Sequence, residues 1–204
     1  MNELLGILYE TIVNLTWLEI VAFASGLAYV ILAAKESVWC WGVGLINVVA
    51  FFVISYHAML YSDMMLQVFY FGLTLYGIYQ WLYVGKKEDS EMLEITMTDR
   101  KTWLLLSLFV AVSTVLQGLL LDNYTPTDVP YLDAFTTSGS LAATWLVARK
   151  KLENWLVWLL IIPIYVGLYF YKGWILSSFL FVIYLIISVF GYFSWRKAYL
   201  ESIG

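Results

Sequence analysis

Seven long apolar runs divide the chain, at roughly 17–34, 38–56, 62–83, 102–121, 131–148, 154–171 and 174–195. At about 1.5 Å per residue, each is long enough to cross about 30 Å of hydrocarbon as a helix. The runs are continuous and show no ten-residue alternation of apolar and polar positions, so helices are predicted and barrel strands are not. Residues 1–15 are apolar but short and carry Glu3 and Glu10. That segment is expected to lie at the membrane interface, since a span needs about 20 residues. The longest polar stretch, Gly85–Lys101, reads as a solvated connector without a motif.

The pattern is stated twice. Displacing the sequence so that Lys35 falls on Arg149 also brings Trp41 onto Trp155, Tyr70 onto Tyr184, Gly77 onto Gly191 and Trp81 onto Trp195, without a gap. Leucines and alanines would coincide by composition alone; Trp and Gly in register imply an internal duplication of 24–83 in 138–197. Each unit holds three spans, and the unmatched fourth restores the chain direction. The expected fold is therefore an all-α membrane protein with seven transmembrane helices as 3+1+3 parallel repeats. Its parts are an interfacial segment 1–16, a first repeat 17–83, a linker and connecting helix 84–121, a second repeat 122–197, and a cytoplasmic tail 198–204. Parallel repeats about the membrane normal occur in transporters, with the solute site at the repeat interface.

Charge orients this frame. Ten of the eleven Lys and Arg residues fall in the loops at 35–37, 84–101 and 149–153 or in the tail, leaving only Lys172 on the other side. That asymmetry predicts an N-terminus outside and a C-terminus in the cytoplasm. Composition agrees: 62% of residues are hydrophobic and 13% charged, against about 45–50% and about 25% for soluble domains. One cysteine, Cys40, excludes an internal disulfide. A net charge of −4 without a basic patch excludes nucleic acid as a partner.

Catalytic and metal-ligating constellations are absent from the sequence. The single His57 is placed in an outer loop, away from any carboxylate cluster. Glu19, Asp63 and Asp133 fall at the outer ends of their helices, either as dipole-favoured N-terminal residues or as an entrance that attracts a cation. No carboxylate or histidine stands at mid-membrane, where a proton-driven carrier needs one. The polar groups that remain at depth are neutral: Asn47 in the second span, with Gln67 and Tyr70 on one face of the third. Each is read either as interhelical glue or as a solute contact. Thr136, Thr137, Ser138 and Ser140 form a hydroxyl-rich turn read as packing. Trp155 and Trp158 share a face of the sixth span, where they are belt aromatics or a stacking surface for a flat ring.

Several of these segments resemble one family. Gly44-Leu-Ile-Asn47, Tyr61-Ser-Asp63-Met-Met-Leu-Gln67-Val-Phe-Tyr70, Tyr76-Gly77-Ile-Tyr79-Gln-Trp81, Asp133-Ala-Phe and Asn154-Trp155-Leu-Val-Trp158 are similar to the PnuC family of bacterial vitamin-precursor transporters, over about residues 17–198. The resemblance implies a SWEET-like seven-helix fold and facilitated diffusion of nicotinamide riboside, with a cytoplasmic kinase trapping the solute as a phosphate. Thiamine is the alternative solute of related members. Carried across, Trp155 and Trp158 would border the ring, Asn47, Gln67 and Tyr70 would supply polar contacts, and Asp133 is the fifth-helix acid. Tyr184 joins the expected site as the repeat counterpart of Tyr70. One position departs: Ile162, followed by Pro163, stands where the family usually shows Asn or Asp.

The expected protein is thus a non-enzymatic uniporter without cofactors in the bacterial cytoplasmic membrane. Its partners are the vitamin, the bilayer and the kinase, and a homo-oligomer is compatible with the chain. Phosphorylated solutes are expected to be refused, because no buried Lys or Arg is predicted to receive the phosphate. The rival from another class is a membrane receptor or enzyme subunit without flux.

Overall fold

Helix boundaries follow from local chemistry. Thr16 opens the first helix with a capping box: its hydroxyl accepts from the Glu19 N–H at 3.3 Å, and the Glu19 carboxylate accepts from the Thr16 N–H at 2.8 Å. Glu19 is therefore engaged as a cap. In the computed structural model, residues 6, 13–57, 59, 61–84 and 93–204 are described; most of the expected interfacial segment 1–16 lies outside them. Seven long helices appear among the described residues: α1 (Trp17–Ala34), α2 (Trp39–His57), α3 (Tyr61–Tyr79), α4 (Arg100–Tyr124), α5 (Pro130–Ala148), α6 (Asn154–Tyr171) and α7 (Ile175–Ile203). A π turn, Gln80–Val84, continues α3. His57 closes α2 rather than lying in a loop, and α7 carries the expected tail onward as helix.

Five of the seven, α1, α2, α4, α6 and α7, are long and apolar enough to cross a membrane by themselves. Helices α3 and α5 carry the polar side chains. Thr136, Ser138, Ser140 and Thr144 of α5 are buried, with hydroxyls of Thr136 and Thr144 returned to backbone carbonyls one turn back. Helix α5 packs against α4, α6 and α3, while α1 packs against α2 and α7. Helix α4 presents Leu104, Leu108, Leu116 and Leu120 outward and meets α5 through Gly118, where a Cβ would strike the Tyr131 ring.

The core gathers at the Lys- and Arg-rich end of the bundle. Trp41, Trp81, Trp155 and Trp195 are all at most 3% exposed and touch in sequence. Trp41 meets Trp81 edge-on at 5.7 Å, Trp155 meets Trp195 edge-on at 5.6 Å, and Trp81 meets Trp195 at 6.2 Å. The Trp81 indole donates to the Val147 carbonyl at 3.2 Å, and Trp195 donates to the Ala33 carbonyl at 3.0 Å. Gly77 and Gly191 let the rings in, since a Cβ on either would collide with Trp41 or Trp155 respectively.

Helices α1 and α5 end alike. Glu36 and Lys150 take left-handed φ values of 56° and 47°. Their N–H groups, with those of Ser37 and Lys151, satisfy the last carbonyls of the helices in Schellman motifs. These two residues, 114 apart, form an ion pair at 3.0 Å. Lys150 is 1% exposed and lies 4.7 Å above the Trp81 ring. The expectation of no buried Lys is corrected here: a carboxylate and an indole face together compensate the desolvated ammonium.

The connector is corrected too. Its described part does not float in solvent. Thr96 pairs with the chain at Lys150 and Leu152 through two 3.0 Å backbone bonds, Thr98 donates twice to the Glu153 carboxylate at 2.8 Å, and Ile95 is buried in the tryptophan core. Beyond it, Asp99 caps α4, and the Thr102 hydroxyl holds its carboxyl below the ordinary carboxylate range.

Candidate functional site

Above the tryptophan core the middle of the bundle changes character. Five helices each bring a neutral polar or aromatic side chain to it, and α1 brings a glycine. On α1, Gly26 leaves room where a Cβ would stand 2.5 Å from the Tyr184 hydroxyl and 3.2 Å from Asn47 Nδ2. Asn47 of α2 and Tyr184 of α7 therefore converge on one point of the α1 backbone. Asn47 Nδ2 donates to the Ala22 carbonyl at 2.7 Å and to Ser25 Oγ at 3.2 Å, which fixes its amide across the α1–α2 seam.

On the other side, Ser140 of α5 and the Tyr165 hydroxyl of α6 are 3.3 Å apart. Tyr70 of α3 faces the same serine, with Tyr165 and Tyr169 beside it. An aromatic wall continues outward: Tyr165 stacks on Tyr169 at 5.6 Å, Tyr169 on Trp174 at 5.7 Å, and Phe181 lies 4.8 Å from Tyr165 and 5.3 Å from Tyr184. One side of this region is thus amide, glycine and hydroxyl; the other is ring faces edged with phenols.

The seven expected site residues separate on this geometry. Asn47, Tyr70 and Tyr184 all fall in this polar and aromatic region, and Asn47 bonds α1 to α2 as interhelical glue. Gln67 is half-buried on the Tyr70 face of α3 and has no hydrogen-bond partner among the described residues. Trp158 is half-buried on the α6 face that carries Tyr165. Trp155 is elsewhere: it is 2% exposed and packed on Gly191 and Trp195, so no ring face is free to stack. Asp133 is held at the outer end, accepting from Lys172 at 3.0 Å and from Thr127 at 2.8 Å, with Asp63 nearby.

Sequence reading did not single out Tyr29, Tyr165, Tyr169 or Phe181, and it took Ser140 for packing. The displacement that aligns the two halves held a signal, since it puts Ser140 on Gly26 and Tyr165 on Phe51, a polar group in one half against none in the other.

The model of the nicotinamide mononucleotide transporter family matches residues 16–197. The chain belongs to this family. Among relatives, the nicotinamide riboside transporter PnuC of Escherichia coli strain K12 is 27% identical over 205 residues, covering 89% of this chain and 86% of that protein. The riboflavin/roseoflavin transporter RibM of Streptomyces davaonensis is also 27% identical, over 186 residues, covering 89% and 85%. A crystal structure of the vitamin B3 transporter PnuC superposes with a TM-score of 0.74 at 25% identity, over 98% of this chain and 89% of that one. Family membership and the apolar helices together make this member of the nicotinamide mononucleotide transporter family a multi-pass membrane protein.

Proposed function

We propose that this chain is a uniporter for a vitamin precursor with a cationic heteroaromatic ring, nicotinamide riboside first, in the cytoplasmic membrane with its N-terminus outside. The observation that carries the reading is the make-up of the mid-bundle region, where a solute chamber would form: six helices supply Gly26, Asn47, Tyr70, Ser140, Tyr165 and Tyr184, all uncharged. Ring faces suit a flat cation, and the hydroxyls and amides suit a sugar. Among the described residues no acid or base other than tyrosine stands at that depth, which supports a carrier without proton coupling. Uptake then runs down the gradient, and phosphorylation by a cytoplasmic kinase maintains it.

The finer architecture belongs to the same proposal. Two parallel three-helix repeats, 17–83 and 122–197, joined by 84–121, form a SWEET-like 3+1+3 plan. Supporting it are the bonds that recur with the halves exchanged: Trp81 to Val147 against Trp195 to Ala33. In this reading the four tryptophans, the Lys150–Glu36 pair and the docked connector close the cytoplasmic mouth, and they must part to release solute inward. The binding set is Asn47, Gln67, Tyr70, Ser140, Trp158, Tyr165 and Tyr184. Trp155 and Asp133 serve packing and the outer ion pair.

Thiamine is the second reading, favoured by Ile162, which offers no hydrogen bond and is 3% exposed. Among the described residues, Lys150 and Lys172 are each paired with a carboxylate, so neither is free to receive a phosphate. Isothermal titration of the purified protein against nicotinamide riboside, its mononucleotide, thiamine and riboflavin tests the reading. The riboside is expected to bind, and the mononucleotide roughly 100-fold more weakly or not at all. Comparable binding of the mononucleotide contradicts the neutral site.

A further inference from the structure

The two halves of this protein are alike where they build and unlike where they would have to read a solute. Trp41, Gly77 and Trp81 recur as Trp155, Gly191 and Trp195 and make the same contacts in each half. A small vitamin has no two-fold symmetry, so the residues that recognise it must break the symmetry of the frame. Positions around the proposed chamber that do so include Gly26 against Ser140, Tyr29 against Ala143, Asn47 against Ile161, and Gln67 against Phe181.

Of these, Tyr29 and Gln67 lack a hydrogen-bond partner among the described residues, and of the two Tyr29 has its polar atom fully buried. Ser140 has Tyr165 as a partner, and Asn47 has Ala22 and Ser25. The Tyr29 hydroxyl is buried without a hydrogen-bond partner among the described residues. A buried phenol left unpaired costs free energy that a folded protein normally avoids. The hydroxyl is also not free to seek a partner, because its ring is clamped. It lies on Gly44, where a Cβ would stand 3.2 and 3.4 Å from the ring carbons, and meets Trp41 edge-on at 6.0 Å. Its ring packs against the tryptophan core, and the groups within electrostatic range of its hydroxyl are Cys40 of α2 and Tyr70 of α3. In the second half the bulk is exchanged: Ala143 takes the place of Tyr29, and Trp158 the place of Gly44.

We infer that Tyr29 is a specificity-determining residue whose hydroxyl hydrogen-bonds a sugar hydroxyl of the bound solute. The inference rests on the chamber proposed above. The ring of the solute stacks on the α6–α7 side, where the aromatic wall stands, and its sugar turns to the α1–α2 side, where Tyr29, Gly26 and Asn47 stand. The unpaired phenol then takes its partner from the solute, and the cost of leaving it unpaired is recovered on binding.

Tyr29→Phe removes the hydroxyl and keeps the ring on Gly44. Titration calorimetry with nicotinamide riboside and its 2′-, 3′- and 5′-deoxy analogues compares the two proteins. Wild type is expected to bind the riboside about ten-fold more tightly than the variant does and to discriminate against one analogue; the variant is expected to lose that discrimination alone. Its melting temperature without ligand is expected to be unchanged or higher, since an unpaired polar atom has gone. Equal riboside affinity in both proteins overturns the inference, as does an equal loss for the riboside and all three analogues. A wild type that binds no riboside overturns the proposed solute instead, so the two failures are distinct.

Discussion

Trp155 and Trp158 stand three residues apart on one helix and do different things. Trp155 fills a slot over Gly191 and is 2% exposed, so its truncation leaves a large cavity in a closed core. Trp155→Ala is expected to cost about 3–5 kcal/mol of stability, seen as a lowered melting temperature in detergent. Trp158 is half-buried beside the chamber, and Trp158→Ala is expected to leave melting nearly unchanged while weakening riboside binding roughly three- to thirty-fold, the loss of about 0.5–2 kcal/mol of ring stacking. The reverse assignment of effects would move the stacking surface to Trp155. The repeat already held the distinction, because Trp41 and Gly77 form the same slot in the first half. What obscured it was depth: an indole near the end of a span reads equally well as belt, core or stacking surface.

Among the elements, the loop ends of α1 and α5 differ most from what the sequence suggested. Lys150 stands within Arg149-Lys150-Lys151, a run that positive-inside reasoning treats as three equivalent surface charges. Which of them turns inward depends on the left-handed residue that ends the helix, and no pattern of hydrophobicity reports that. The docking of 93–98 was invisible for a similar reason: a short polar strand pairs only when tertiary structure supplies an edge. By contrast, helix number, the apolar spans and the matched Trp and Gly positions were legible, because each repeats a large, rare side chain against a small one. The Glu36–Lys150 pair gives a test at this scale. Either Glu36→Ala or Lys150→Ala is expected to destabilise by about 1–3 kcal/mol, less than a fully buried pair because Glu36 is 25% exposed. Exchanging the charges, Glu36→Lys with Lys150→Glu, is expected to recover more than half of the loss in melting temperature. An exchange no more stable than the worse single variant would show that the two loop ends are not equivalent.

For the whole molecule, the arrangement separates two tasks. The Lys- and Arg-rich end is a sealed aromatic core braced by an ion pair and the connector, and the middle gathers neutral polar and aromatic side chains. A site without buried charge can reorient empty, since no ion is stranded in the bilayer when the solute leaves. The proposed transport without coupling rests on that property, and it is the central claim. The most direct measurement is uptake of radiolabelled nicotinamide riboside into liposomes holding only the purified protein, with no ATP and no ion gradient. The account predicts that internal and external concentrations become equal, and that adding a proton or sodium gradient leaves the plateau where it was. Accumulation above the external concentration under such a gradient, or intact binding without any flux, would contradict it.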